Sequence, residues 1–272
     1  MYKYTIEFII FGLKQANACI FGIFILLISI ISNVWYPLES IHRYDFIFLA
    51  AIVFQMFLLI SKFETLKEFL VIMIFHIVAT VMEIFKTSDA IGSWVYPEEY
   101  FFGVGNVPLF TGFMYSAVGS YITRAWKIFD LKFGSYPKTI YAVLLVTVIY
   151  INFFSHHFFY DIRWFLATAT VLMFAKTKVY FKITRSYRNI PLILGWFSVA
   201  LFIWLAENIA TYVNIWIYPN QKDGWQLVSL GKLSSWYLLM ILSFVLVSLC
   251  NNTRGAINKG TWVYYAKEQT KQ

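Results

Sequence analysis

Five side chains stand out for the acid–base chemistry they would bring to apolar surroundings: Glu83, His156, His157, Asp161 and Glu207. Glu83 closes the run "VIMIFHIVATVMEIFK". Lys86 follows three residues on and His76 lies seven before, so all three project from nearly one helical face. In "WLAENIATYVNIW", Glu207, Thr211 and Asn214 recur at i, i+4 and i+7, with Asn208 beside them. Buried Asn and Thr often serve as interhelical glue. An ionisable carboxyl group in a membrane is expensive and marks a functional position by default. "NFFSHHFFYDIRW" joins His156 and His157 to Asp161 and Arg163, which suits an imidazole base oriented by a carboxylate. The aromatic residues Phe153, Phe154, Phe158, Phe159 and Tyr160 around it call for a packed segment folded inward toward the two glutamates. Adjacent histidines point apart on a helix, and a metal would need Glu83 or Glu207 to complete its shell. With no His-x-x-x-His and no His-Glu-x-x-His, a metal centre is disfavoured, and the identity of any cofactor stays open. Lys86, Arg163 and Lys232 are the cations placed to neutralise or steer a substrate. Trp94, Tyr96, Asn208, Thr211 and Trp216 are the candidate binding walls.

The elements that must carry these residues are membrane helices. Of 272 residues, 60% are hydrophobic, 21% aromatic and only 13% charged, against about a quarter charged in soluble chains. A crossing needs about 20 apolar residues. Eight stretches qualify as spans one to eight: 17–36, 44–61, 68–86, 107–123, 139–155, 162–176, 191–213 and 233–250, the sixth being short. Runs of this length lack the period of two that a β-barrel needs. The expectation is an all-α integral membrane protein, a single polytopic domain over 1–272. Its first apolar stretch has no small-residue cleavage site.

With a cytoplasmic N-terminus, 17 of the 22 Lys and Arg fall on the inner side, and only Arg43, Lys86, Arg163, Lys222 and Lys232 lie outside. That asymmetry puts both termini in the cytoplasm. It also assigns the net charge of +8 to anionic inner-leaflet lipid and not to nucleic acid. Cys19 and Cys250 make no metal or disulfide pattern. "WYP" at 35–37, "WVYP" at 94–97 and "WIYP" at 216–219 then all end outward-running spans at the outer interface, where Trp and Tyr anchor and Pro stops a helix. Two of these ends follow a buried glutamate, on spans four apart, as a parallel four-plus-four duplication would have it. Gly112, Ser116, Gly119 and Ser120 form a small-residue stripe for close packing. The basic stretch 176–188 reads as an ordinary cytoplasmic loop.

"MEIFKTSDAIGSWVYPE", "NVPLFTGFMYSAVGSYITRAW", "YINFFSHHFFYDIR", "FIWLAENIATYVNIWIYPNQ" and "KLSSWYLLMILSFVLVSL" resemble the YoaT-like bacterial membrane family, domain of unknown function 817. The resemblance runs from about residue 45 to 250. It implies a multi-span bacterial inner-membrane protein and transfers no catalytic residue. A looser likeness, through Glu83, Gly92, Trp94, Tyr96 and Val107 to Leu109, is to membrane carotenoid hydratases. Together these readings lead to a membrane enzyme doing acid–base chemistry, hydration or hydrolysis, on a lipid or isoprenoid near the outer leaflet. The rivals are a transporter or sensor using the same polar chamber, and a scaffold; the oligomeric state is open.

Overall fold

The structure is a computed structural model and describes residues 2–250. It is mostly helical. Helices α1 (Tyr2–Ala18), α2 (Ile20–Val34), α3 (Arg43–Ile60) and α4 (Leu66–Thr87) lead to a short hairpin, β1 (Gly103–Val104) and β2 (Val107–Pro108). Then come α5 (Phe110–Ile128), β3 (Lys132–Gly134), α6 (Thr139–Ser155) and α7 (Arg163–Phe174). β4 (Lys178–Lys182), β5 (Tyr187–Pro191), α8 (Leu192–Tyr212) and α9 (Leu230–Cys250) complete the described chain.

Among the described residues four helices, α3, α4, α8 and α9, are long and apolar enough to cross a membrane. The α1–α2 pair, bent by 72° at Cys19, makes a fifth if taken as one span. This is a membrane protein; among the described residues four helices, or five spans with the bent pair, meet that length, and the eight expected spans include shorter or more polar helices. Three causes account for the difference. The first apolar stretch is interrupted at Cys19, and the residues before it are helical too. α6 and α7 hold only 17 and 12 residues, or about 25 and 18 Å at 1.5 Å per residue, short of a core about 30 Å thick. α5 starts at Phe110, not 107, and carries Thr111, Ser116, Ser120, Thr123 and Arg124, all buried against neighbouring helices.

The all-α expectation is also corrected. Residues 176–188 are not an open loop: β4 pairs antiparallel with β3 and with β5 in one three-stranded sheet. Arg124, one of the charges counted on the inner side, is 4% exposed; it donates to the Asn17 side chain at 2.6 Å and to the Phe63 carbonyl at 3.1 Å. Lys14 likewise donates to the carbonyls of Ile128 and Lys182, and Arg188 pairs with Glu7. Arg254, Lys259, Lys267 and Lys271 lie outside the described residues.

The tightest helix pair is α4 with α5. Thr65 and Glu68 cap the start of α4 reciprocally, the Glu68 N–H donating to Thr65 Oγ1 and the Thr65 N–H to Glu68 Oε2. Along the interface the small residues of α5 lie against large ones of α4. A Cβ at Gly112 would fall 2.3 Å from His76 Nδ1, and one at Gly119 would fall 2.9 Å from the Phe75 ring. Ser116 Oγ donates across the gap to the Ile72 carbonyl at 3.1 Å. This contact fixes the two helices that present Glu83 and Tyr115 to one another.

Candidate functional site

Two of the three Trp-Tyr-Pro ends meet. Val95 and Ile217 form an antiparallel bridge, each N–H donating to the other's carbonyl at 3.0 and 2.9 Å. After α4 the chain turns back through Gly92, whose φ of +55° suits glycine. That turn returns Trp94 and Tyr96 to the glutamate eleven and thirteen residues earlier. The first copy behaves differently: Trp35 is 70% exposed, as a simple interfacial anchor should be.

Glu83, 1% exposed, accepts three hydrogen bonds: from Trp94 Nε1 at 3.0 Å, Tyr96 Oη at 2.6 Å and Tyr115 Oη at 2.6 Å. Glu207, also buried, accepts two, from Tyr218 Oη at 2.6 Å and Trp236 Nε1 at 2.8 Å. Burial pushes the Tyr96 and Tyr218 phenols well above their ordinary value, so both stay protonated donors. The Lys232 ammonium stands between the two centres, over the faces of Trp94 at 5.2 Å and Tyr218 at 4.2 Å. The two glutamates thus share one interior, bounded by the Trp94–Tyr218 and Tyr115–Trp236 ring contacts.

Lys86 is 5% exposed and turns to the histidines: its ammonium is 2.7 Å from His157 Nε2 and 3.4 Å from His156 Nε2. His156 Nδ1 bonds the Asn152 carbonyl at 2.7 Å, which leaves its Nε2 as the acceptor facing Lys86. The partner of the imidazoles is therefore a cation and not the carboxylate expected. Burial first, then the neighbouring Lys86 charge, pushes His157 down to about 4. Burial likewise lowers His156, so both rings are neutral near pH 7.

Asp161 serves the turn. It accepts from the Arg163 backbone and guanidinium and from Asn152 Nδ2. Burial would raise its carboxyl, but these donors outweigh it and hold it below the usual range. Arg163 reaches on to Ser235 of α9 at 3.4 Å. The expectation that the whole aromatic segment packs inward is corrected, since Phe158, Phe159 and Tyr160 are 67%, 77% and 95% exposed. In a membrane such rings can face lipid, a solvent that leaves aromatic surface without the penalty water imposes.

The polar stripe of α8 separates by role. Asn208 Oδ1 accepts from the Val228 N–H at 2.9 Å, and Thr211 Oγ1 accepts from Trp225 Nε1 at 3.1 Å. Both therefore hold the segment 219–229. Asn214 has left the helix, at φ +55°. Trp216 packs against the buried cluster of Trp94, Trp204, Tyr218 and Val228. Sequence reasoning passed over Tyr218 and Trp236, although Tyr218 occupies the motif position of Tyr96. It also missed another buried carboxyl group, Glu64, bonded by Gln55 and Ser120 at 2.6 Å each. Among the described residues no three His, Cys, Asp or Glu side chains gather as metal ligands would.

An apolar crevice opens between α4, α5, α6 and α9. It is lined by Phe75, Met82, Tyr115, Tyr150, Leu239 and Ser243 among others, and holds about 20 Å³, room for little more than a water molecule. Tyr115, whose hydroxyl is bonded to Glu83, is among its lining residues.

The family model described as protein of unknown function (DUF817) matches residues 7–244. The chain is 40% identical over 238 residues to the "Uncharacterized protein YoaT" of Bacillus subtilis (strain 168), covering 88% of this chain and 89% of that one. No solved structure matches. The looser likeness to membrane carotenoid hydratases is carried by neither match. The chain belongs to the DUF817 family.

Proposed function

We propose that this protein is an acid–base enzyme of the bacterial cell membrane acting on a lipid or isoprenoid, with Glu83 as the proton-transferring group. One observation supports the reading: Tyr115, which donates to the buried Glu83 carboxyl group, also lines a small apolar depression between the helices. In hydration, Glu83 gives a proton to one alkene carbon, a water oxygen adds to the cation formed, and that water's second proton returns to Glu83. The sum is substrate plus water. Glu207 and Lys232 set the field around Glu83, while His156 and His157 hold Lys86 in place.

The reading takes α5, α6 and α7 as further crossings beside α3, α4, α8, α9 and the α1–α2 pair. That makes eight spans with both termini in the cytoplasm, which the 17-to-5 distribution of Lys and Arg supports. A four-plus-four repeat is supported by helix neighbours: α5 packs on α2, α3 and α4, as α9 packs on α6, α7 and α8. α8 meets α2 as α4 meets α6, and an arginine, Arg43 or Arg163, opens the second helix of each half.

The test is incubation of the purified protein with bacterial lipid extract in heavy-oxygen water, followed by mass spectrometry. A lipid product carrying the heavy oxygen, formed by the wild type and not by Glu83→Gln, is expected. Equal labelling by the variant removes Glu83 from the chemistry.

A further inference from the structure

Three consecutive residues at the start of α3 grip both loops that build the site. Arg43, Tyr44 and Asp45 are buried, at 7%, 1% and 3% exposed. The Arg43 guanidinium takes both oxygens of Glu98, Nε donating to Oε2 at 2.8 Å and Nη2 to Oε1. The same Nη2 donates to the carbonyls of Val213 at 3.2 Å and Asn214 at 3.4 Å. Glu98 follows directly on the first buried Trp-Tyr-Pro end, and Val213 and Asn214 lead into the second. One planar head group, with its donors in a fixed fork, thus holds both ends at once.

Its neighbours divide the task. Asp45 accepts from the Phe101 and Phe102 N–H groups, at 2.7 and 2.8 Å, on the first loop. Tyr44 Oη donates to the Ile215 carbonyl at 2.9 Å on the second. α8 has just ended there, which is where a helix leaves carbonyls in need of outside donors. The Tyr44 ring also meets Tyr96 edge-on, with centroids 6.2 Å apart.

The two loops deliver donors to the two glutamates. The first brings Trp94 and Tyr96 to Glu83 at 3.0 and 2.6 Å, and the second brings Tyr218 to Glu207 at 2.6 Å. The Val95–Ile217 bridge joins the loops between their anchors. Hydrogen bonds weaken steeply once their geometry slips, so donors carried on loops depend on what holds those loops.

We infer that Arg43, Tyr44 and Asp45 are positioning residues of the site, a clamp on α3 that sets the aromatic donors of both glutamates. Arg43 serves both centres, Asp45 serves Glu83 and Tyr44 serves Glu207. The clamp acts whatever the two centres bind or turn over, so it stands apart from the acid–base reading.

Nitrogen-15 NMR of the tryptophan indoles, on the purified full chain in detergent micelles, tests it. Each centre holds one indole, Trp94 on Glu83 at 3.0 Å and Trp236 on Glu207 at 2.8 Å. Trp94→Phe and Trp236→Phe assign the two signals. Arg43→Gln is expected to displace both by more than the linewidth. Asp45→Asn displaces the Trp94 signal more, and Tyr44→Phe, which keeps the ring, displaces the Trp236 signal more. Arg124→Gln is the control. It also removes a buried arginine that donates to backbone carbonyls, but near the opposite end of α5 from Phe110, the ring that Tyr44 meets at 5.0 Å. It should lower the melting temperature and leave both signals in place. If Arg43→Gln does not fold, Asp45→Asn and Tyr44→Phe decide between them. A signal left at its wild-type position in Arg43→Gln, a neighbour variant that fails to favour its own centre, or an equal displacement in Arg124→Gln overturns the inference.

Discussion

The two glutamate centres begin from nearly the same local sequence and end with different surroundings. Each glutamate lies near the end of a long apolar helix and is followed by Trp, one aliphatic residue, Tyr and Pro, and the two Trp-Tyr-Pro stretches pair at Val95 and Ile217. The second connection is two residues shorter. The side chain eleven residues beyond the glutamate is therefore Trp94 in one centre and Tyr218 in the other. Glu83 gains a third donor, Tyr115, from the adjoining α5, and through it a border on the crevice. Glu207 takes its second donor from Trp236 and is roofed by the segment 219–229, tied down through Asn208 and Thr211. Similar carboxyl groups with similar donors, both buried, thus differ in what surrounds them: a third donor from α5 at Glu83, and the tied-down segment 219–229 near Glu207.

The largest effect should come from exchanging the carboxyl groups for amides. Glu83→Gln should cut turnover by about a hundredfold or more, the scale of general acid–base catalysis, with a small change in melting temperature. Glu207→Gln should keep most of the activity and lower the melting temperature instead. A reversed pattern in paired activity and thermal-denaturation assays would break the comparison. Next in size is the packing beneath each centre. Gly112→Ala drives a methyl into His76 and should cost about 1–3 kcal/mol in denaturant titration, whereas Gly231→Ala, which meets only Ser229 Oγ at 3.6 Å, should be close to neutral. Tyr115→Phe and Tyr218→Phe each remove one donor from a buried carboxyl group, at about 1–3 kcal/mol; only the first should also slow turnover. The smallest effect is in pH. His157 is held at about 4 in the fold against an ordinary 6.5, so the unfolded chain binds the proton first as the pH falls. Stability should therefore decline from pH 6.5 towards 4 and be flat above, with His156 adding in the same direction. His157→Ala should flatten that decline in melting curves, and an unchanged slope would remove Lys86 and its histidines from the electrostatics of the site.

Residue chemistry along the chain was enough to place both glutamates in one interior, because a carboxyl group in an apolar helix has few alternatives to an internal partner. It was enough, too, for the membrane character and for the close α4–α5 contact, since small residues spaced three and four apart leave a groove that a neighbouring helix fills. Composition and helical periodicity are local properties and survive translation into structure unchanged. Tertiary structure alone decided the partners. The histidines face Lys86 and not a carboxylate because α6 ends beside the last turn of α4. Asn208 and Thr211 bind a loop because 219–229 folds back over α8. Residues 178–182 become a strand, with 187–191 paired beyond it, because β3, more than forty residues earlier, supplies an edge. Each of these contacts joins positions far apart in the chain, where the direction of a side chain depends on how helices pack and where they stop, and apolar length in a sequence does not encode either.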